Sequence, residues 1–375
     1  MKRLVCFFDG TWNKPEDQHQ TNVVKLQQAI LAADAGGVRQ VVHYEVGIAT
    51  EATLGRLTFA VGAIGFGVGD RVRGGYRFLC ESYEEGDEIY LVGFSRGAFE
   101  ARSLAGLVAL CGIARSAAAE TIADVWDYYE QNKLAPDPAR LDALRAAACV
   151  PIPIKCVAVW DTIGNLGIPF VSKSLIKELL GFHDTELPPT VEVGLHALAI
   201  DEPRGPFSPT LWTIKKGASL PPGQIIEQVW FPGCHANVGG GYKDCALSDI
   251  ALLWMAERIG QTTSLAIDLA RLAESTKPDP LGEQLSPTSD GIYRVSRVLP
   301  FVRLIKEQRR GISLLRRAIL GTWRSSRLPP GQVAVNESIH ASAVERFGKR
   351  VPQRRGAAVR HITYRPKNLA AVLDK

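Results

Sequence analysis

Along the first two-thirds of the chain, short unbroken apolar runs alternate with longer segments whose apolar residues recur every three or four positions. That alternation predicts an α/β fold, a mostly parallel sheet with helices on both faces. Arg3–Phe8, Gln40–Val46, Glu88–Phe94, Ile154–Trp160 and Ile225–Phe231 read as strands. Asn22–Ala33, Asp70–Glu84, Ala98–Ile113, Thr121–Gln131, Asp137–Ala148 and Ser248–Ile259 read as helices. In the first helix Val23, Val24, Leu26, Ile30 and Leu31 share a face, and Gly36-Gly37 ends it. Leu195–Ile200 fits a strand or a helix end equally well.

Two stretches break the rhythm. Thr53–Gly69 carries five glycines among apolar residues and reads as a lid, a flexible wall of an apolar pocket, or a core-packing loop. From Pro278 to Pro329 the chain turns to loops and basic helices bearing Arg303, Lys306, Arg309, Arg310, Arg316, Arg317, Arg324 and Arg327. These cations suit either a solvated face or contact with phosphate headgroups at an anionic membrane surface. The expected division is a catalytic core over 1–275, with a C-terminal extension or cap over 276–375 packed on it.

At 375 residues, 46% of them hydrophobic, the chain is long enough for one large α/β domain. A net charge of +5 is too mild to argue for nucleic acid, which calls for a concentrated basic face. The seven cysteines are odd in number and include no CxxC pair. Cys6 and Cys156 sit inside strand-like runs, so free buried thiols in a reducing compartment are expected. No run reaches the roughly 18 apolar residues of a spanning helix. The first apolar run is also too short for a signal-peptide core. A soluble protein, cytoplasmic as synthesised, is the expectation; secretion by a route independent of a signal peptide is compatible with it.

Gly93-Phe94-Ser95-Arg96-Gly97 matches G-x-S-x-G, and its context gives the match its weight. It follows a strand and opens a helix, the arrangement that holds a nucleophilic serine on a strained turn above a sheet edge. A serine nucleophile needs a base and a group that orients the base. His235 lies just past the strand Ile225–Phe231, in a glycine-bearing loop, and is preferred to His183, His196, His340 and His361. Asp161, which ends the strand Ile154–Trp160, is the first candidate acid, and Asp201 is the alternative. The oxyanion hole is expected from the Arg96 amide with that of Gly10 or Thr11, on the loop after the first strand. Asp9 on that loop is expected to bond the loop's own amides or hydroxyls, with metal binding a minor alternative.

Several of these segments together resemble one family. They are Phe8-Asp9-Gly10-Thr11-Trp12-Asn13, Thr21-Asn22-Val23, Gly86 to Phe99 around the serine, Val159-Trp160-Asp161-Thr162, His196 to Glu202, and Pro232 to Tyr242 around His235. Glu337-Ser338-Ile339-His340 and Tyr364 to Leu369 are similar too. The family is the α/β-hydrolase domain whose best-known members are bacterial type VI secretion phospholipase effectors of the first lipase class. The resemblance implies a Ser-Asp-His triad at Ser95, Asp161 and His235, and cleavage of glycerophospholipid acyl esters. It also implies a secretion or immunity partner. The expected activity is that of a serine esterase or lipase working through an acyl-enzyme, with no metal or organic cofactor required. The alternatives are a non-catalytic binding or adaptor protein on a hydrolase scaffold and a peripheral membrane module.

Overall fold

Runs that are apolar at nearly every position belong in strands covered on both sides, and that is where they lie. The computed structural model describes residues 1–10, 16–47, 62–132, 135–163, 185–287, 301–305, 324–325 and 328–374. Its main sheet has seven strands: β1 (Arg3–Phe8), β2 (Gln40–Glu45), β3 (Glu88–Phe94), β4 (Ile154–Trp160), β5 (Val191–Ala199), β6 (Ile225–Phe231) and β7 (Glu337–Ile339). Every neighbouring pair is parallel, and the spatial order is 2-1-3-4-5-6-7. The order therefore reverses between β1 and β3. At such a switch point the connections leave toward opposite faces, opening a crevice at the carboxyl ends of the strands.

Among the described residues up to 275 the helices are α1 (Asn22–Gln28), α2 (Gly62–Ser82), α3 (Arg96–Cys111), α4 (Ala119–Gln131), α5 (Pro138–Ala146), α6 (His235–Gly239), α7 (Ala246–Thr262) and α8 (Leu269–Ser275). Alternate strand residues feed two cores. Leu4, Cys6, Phe8, Leu91, Val157 and Val159 pack with α2, α3 and α4. Val5, Phe7, Tyr90, Val92, Cys156 and Trp160 pack with α1, α7 and α8 on the other face. All seven cysteines are free thiols, with Cys6 and Cys156 buried. Among the described residues no helix is long and apolar enough to cross a membrane.

Three expectations are corrected or decided here. Leu195–Ile200 belongs to a strand, β5, which lies between β4 and β6. The first helix stops at Gln28, and Ile30 forms an antiparallel bridge to Ile267. Of the glycine-rich lid or pocket wall expected over Thr53–Gly69, residues 53–61 lie outside the described residues and 62–69 are the first turns of α2. Packing overrides the low helix propensity of glycine there. A Cβ on Gly69 would lie 3.1 Å from the Trp126 ring of α4, so the missing side chain is what lets the two helices approach.

The chain beyond residue 275 is part of the sheet's architecture. Its segment Glu337–Ile339 forms β7 along β6, and Trp230 donates its indole N–H to Glu337 at 2.9 Å. Ile305, Ala343, Val351, Tyr364 and Leu369 build a third apolar cluster with Leu198, Ile200 and Trp230.

Candidate active site

Register alone brings the main residues to one edge. Phe94 pairs with Trp160 across β3 and β4, so Ser95 and Asp161 leave adjacent strands side by side. Ala199 pairs with Phe231 across β5 and β6, and α6 starts four residues later at His235. The turn Pro232–Cys234 carries that histidine back over the ends of β4 and β5.

Ser95 sits at φ 61°, ψ −119°, a conformation L-residues adopt only under constraint. Its N–H donates to Trp160 O at 3.0 Å, and its C=O accepts from Ile163 at 3.3 Å, which ties the turn to β4. The flanking glycines are steric requirements. A Cβ on Gly93 would lie 2.4 Å from Gly97 O, and one on Gly97 would lie 2.1 Å from Phe8 O. Only a strand and helix lacking both side chains close this tightly.

The three side chains form one hydrogen-bonded chain. Ser95 Oγ lies 2.8 Å from His235 Nε2, and His235 Nδ1 lies 2.6 Å from Asp161 Oδ2. Ser95 and His235 are 6% and 5% exposed and Asp161 is fully buried. The rings of Phe94 and Phe207, with centroids 4.6 and 5.1 Å away, wall the imidazole. Burial pushes His235 below its ordinary value, although the hydrogen bond to Asp161 works the other way. Burial also opposes ionisation of Asp161, but the Arg303 guanidinium and the His235 ring outweigh it and hold the carboxyl far below the usual range. An ionised carboxylate only accepts hydrogen bonds, so the His235 proton resides on Nδ1 and Nε2 accepts from the serine hydroxyl.

Asp161 is itself held in a strained left-handed conformation, φ 42°. Its N–H donates to Ala197 O at 2.7 Å, and its Oδ1 accepts from Ala199 N–H at 3.0 Å. The next amide, Thr162, donates to the buried ring of His196 at 3.1 Å. His196, passed over as a base, is thus a neutral acceptor beneath the acid, and burial lowers it to about 3.

The alternative acid, Asp201, does not reach His235. Its Oδ2 accepts from Gly233 N–H at 2.7 Å and from the Tyr364 hydroxyl at 2.8 Å. Both Asp161 and Asp201 follow strands at the same edge, but Asp201 is turned toward the C-terminal cluster by these partners. Burial raises it to about 6.

The oxyanion-hole candidates divide. Arg96 opens α3, whose first internal hydrogen bond is made by Phe99 to Ser95 O at 3.4 Å. The Gly10 amide, in contrast, donates to Asp9 Oδ1 at 2.6 Å and points into its own turn. Thr11 lies outside the described residues. The Gly10 amide is the loop partner expected for Asp9, and Oδ2 also accepts from two hydroxyls outside the loop, Thr21 at 2.8 Å and Tyr44 on β2 at 2.6 Å. Burial lifts it to about 6. Among the described residues no group of three or more His, Cys, Asp or Glu side chains is arranged to hold a metal ion.

Two residues of the site escaped sequence reasoning. Glu202, buried, accepts the His235 backbone N–H at 3.2 Å and pairs with Arg204, Nε to Oε1 2.7 Å and Nη2 to Oε2 2.9 Å. Arg303, grouped by sequence with surface cations, is fully buried and grips Asp161 with both Nη atoms. Its placement between Val302 and Leu304-Ile305 was the available signal, because a lone cation in an apolar run needs a buried partner. Lys306, Arg309, Arg310, Arg316, Arg317 and Arg327 lie outside the described residues.

The uncharacterized protein YEL023C of Saccharomyces cerevisiae is 27% identical over 233 residues, covering 56% of this chain and 33% of the yeast protein. An uncharacterized protein from Pseudomonas aeruginosa is similar in structure with a TM-score of 0.45 and 17% identity, over 74% of this chain and 49% of that one. The Tle1 effector bound to the VgrG spike from the Type 6 secretion system has a TM-score of 0.36 and 15% identity, over 65% and 52%. This chain thus spans about a third of the yeast relative and about half of the Pseudomonas one. The family described as T6SS, phospholipase effector Tle1-like, catalytic domain matches residues 2–258. With that match over most of its length, the chain belongs to the Tle1-like catalytic-domain family of T6SS phospholipase effectors.

Proposed function

We propose that this chain is a serine hydrolase that cleaves carboxylic esters, with lipid and phospholipid acyl esters as its substrates. The observation that carries the reading is the continuous hydrogen-bonded chain from Ser95 Oγ through His235 to Asp161, at 2.8 and 2.6 Å. Family membership supports lipid as the substrate class.

In this reading Ser95 attacks the ester carbonyl as His235 Nε2 takes its proton. Asp161 holds the productive tautomer and stabilises the imidazolium that forms. The amide of Arg96, at the positive end of α3, donates to the developing oxyanion. Thr11 follows Gly10 on the loop after β1 and is the candidate for the second donor. His235 then returns the proton to the leaving alcohol. Water, deprotonated by the same ring, releases the fatty acid and restores Ser95. The partner we propose is a component of a secretion system, in line with the effector family that the chain matches.

The test is reaction with a fluorophosphonate probe, followed by fatty-acid release from phospholipid vesicles. Wild type should be labelled on Ser95 and release fatty acid, whereas Ser95→Ala and His235→Ala should do neither. Folded wild type that resists the probe, with and without vesicles, would move the weight to a non-catalytic scaffold.

A further inference from the structure

A carboxylate that orients a catalytic histidine normally keeps its charge for that histidine. Asp161 does not. Arg303 Nη1 donates to Asp161 Oδ1 at 2.5 Å, and Nη2 donates to Oδ2 at 2.9 Å, the same oxygen that accepts from His235. The guanidinium is anchored by two carbonyls, Ala199 O at 2.7 Å from Nη1 and Phe207 O at 2.6 Å from Nη2. Its main-chain carbonyl accepts from Asn368 at 3.1 Å, and Asn368 also holds Ile200 O at 3.0 Å. Arg303 therefore reaches the site from the C-terminal cluster, beyond residue 258 where the family match ends.

We infer that Arg303 is a positioning residue for the reaction proposed above: it fixes Asp161 and offsets its charge, so that His235 stays neutral and able to act as a base in more acidic solution than an unaccompanied Asp–His pair permits. The inference rests on that reaction. Bidentate guanidinium–carboxylate geometry in a dry site both immobilises the acid and neutralises it.

The charges facing the ring make the effect specific. Asp161 comes from the end of β4, Glu202 and Arg204 from the segment after β5, and Arg303 from the C-terminal part of the chain. On the ring's own turn, Cys234 stays a thiol because burial pushes it up to about 12. Two carboxylates and two guanidiniums surround a neutral imidazole, and their charges cancel. Removing Arg303 would leave the negative charge of Asp161 uncompensated beside the His235 ring, which favours the imidazolium.

The measurement is the rate of Ser95 phosphonylation by a fluorophosphonate from pH 4 to 9, for wild type, Arg303→Gln and Arg303→Lys. A folded fraction that is constant with pH scales the rate without moving the limb, so circular dichroism at each pH restricts the comparison to the range over which each protein stays folded. Wild type should lose reactivity only below the ordinary imidazole value of about 6.5. Arg303→Gln should move the limb upward by about one pH unit. Arg303→Lys keeps the charge but not the fork, so it should lower the limiting rate and leave the limb in place. A coincident limb in Arg303→Gln, or a wild-type limb above pH 6.5, would overturn the inference. Where the Gln variant does not fold, Arg303→Lys decides, and a limiting rate equal to wild type in that variant would overturn the inference. Absence of Ser95 labelling in wild type at every pH is a separate result, which sinks the hydrolase reading and this inference with it.

Discussion

Gly97 is the residue through which the fold most directly sets the position of Ser95, the proposed nucleophile, and Gly97→Ala tests this. A Cβ at position 97 would lie 2.1 Å from Phe8 O, 2.5 Å from Phe8 C and 2.6 Å from Asp9 O, where ordinary contact begins at 3.4 Å. All three atoms are backbone, at the end of a strand buried on both faces, so none can swing aside. The end of β1 and the start of α3 must part by about 1 Å. Ser95 is two residues away and pinned to Trp160 O at 3.0 Å, so the displacement is shared between that bond and the Oγ–His235 contact. A misplacement of about 1 Å costs on the order of 10² in rate. Overpacking at this site falls at or above the upper end of about 1–3 kcal/mol. With about 2 cal/mol/K of unfolding entropy per residue, 3 kcal/mol corresponds to a fall of about 4 °C in Tm for a chain of this length. The assay pairs the second-order rate of fluorophosphonate labelling with a thermal melt. A variant that melts lower but labels within about twofold of wild type would refute the positioning argument. Wild-type values in both would refute the steric one.

Two further outcomes follow from the carboxylates and the buried imidazole. Asp161→Asn should reduce labelling by about 10⁴, through loss of the Nδ1–H tautomer. Asp201→Asn should stay within a few-fold of wild type, because that carboxylate serves Gly233 and Tyr364; the reverse ranking would make Asp201 the acid. His196 is depressed to about 3 by burial, so its folded form is neutral while the unfolded chain takes up a proton below about 6.5. The stability it contributes is present above 6.5 and is lost as pH falls toward 3. It accounts for about 2 kcal/mol between pH 7 and pH 5. Urea melts at the two pH values should show this drop in wild type and a smaller one in His196→Gln; equal drops would remove His196 as the acid-sensitive group.

What the chain made legible depended on how local the determining interaction is. Strands β1, β3, β4 and β6 appear with the bounds that their apolar runs predict, because most of their residues are covered on both faces. The serine elbow was equally readable, since strand, glycines and helix are contiguous in sequence. β5 was ambiguous because Glu192, Gly194 and His196 interrupt its apolar run. His196 and Gly194 fit a buried strand only through partners elsewhere, the Thr162 amide and the flank of Trp212. The glycine-rich start of α2 was misread for a related reason, as its low propensity is overruled by Trp126, a contact from another helix.

The choice between the two aspartates shows the limit most clearly. Asp161 and Asp201 follow parallel strands at one edge, one strand apart, and the clearer apolar run before Asp161 is the local signal that favours it. What separates them lies more than a hundred residues downstream. Tyr364 draws Asp201 into the third apolar cluster, and Arg303 locks Asp161 under His235. The same cation that reads as surface charge in a basic stretch is fully buried in the fold, because a guanidinium with four hydrogen-bond partners can leave water where an unpaired one cannot. In the proposed reaction the acid is thus specified jointly by its own strand and by the C-terminal part of the chain. The packing of residues 301–305 against the end of β5 is therefore a condition on the chemistry as well as on the fold.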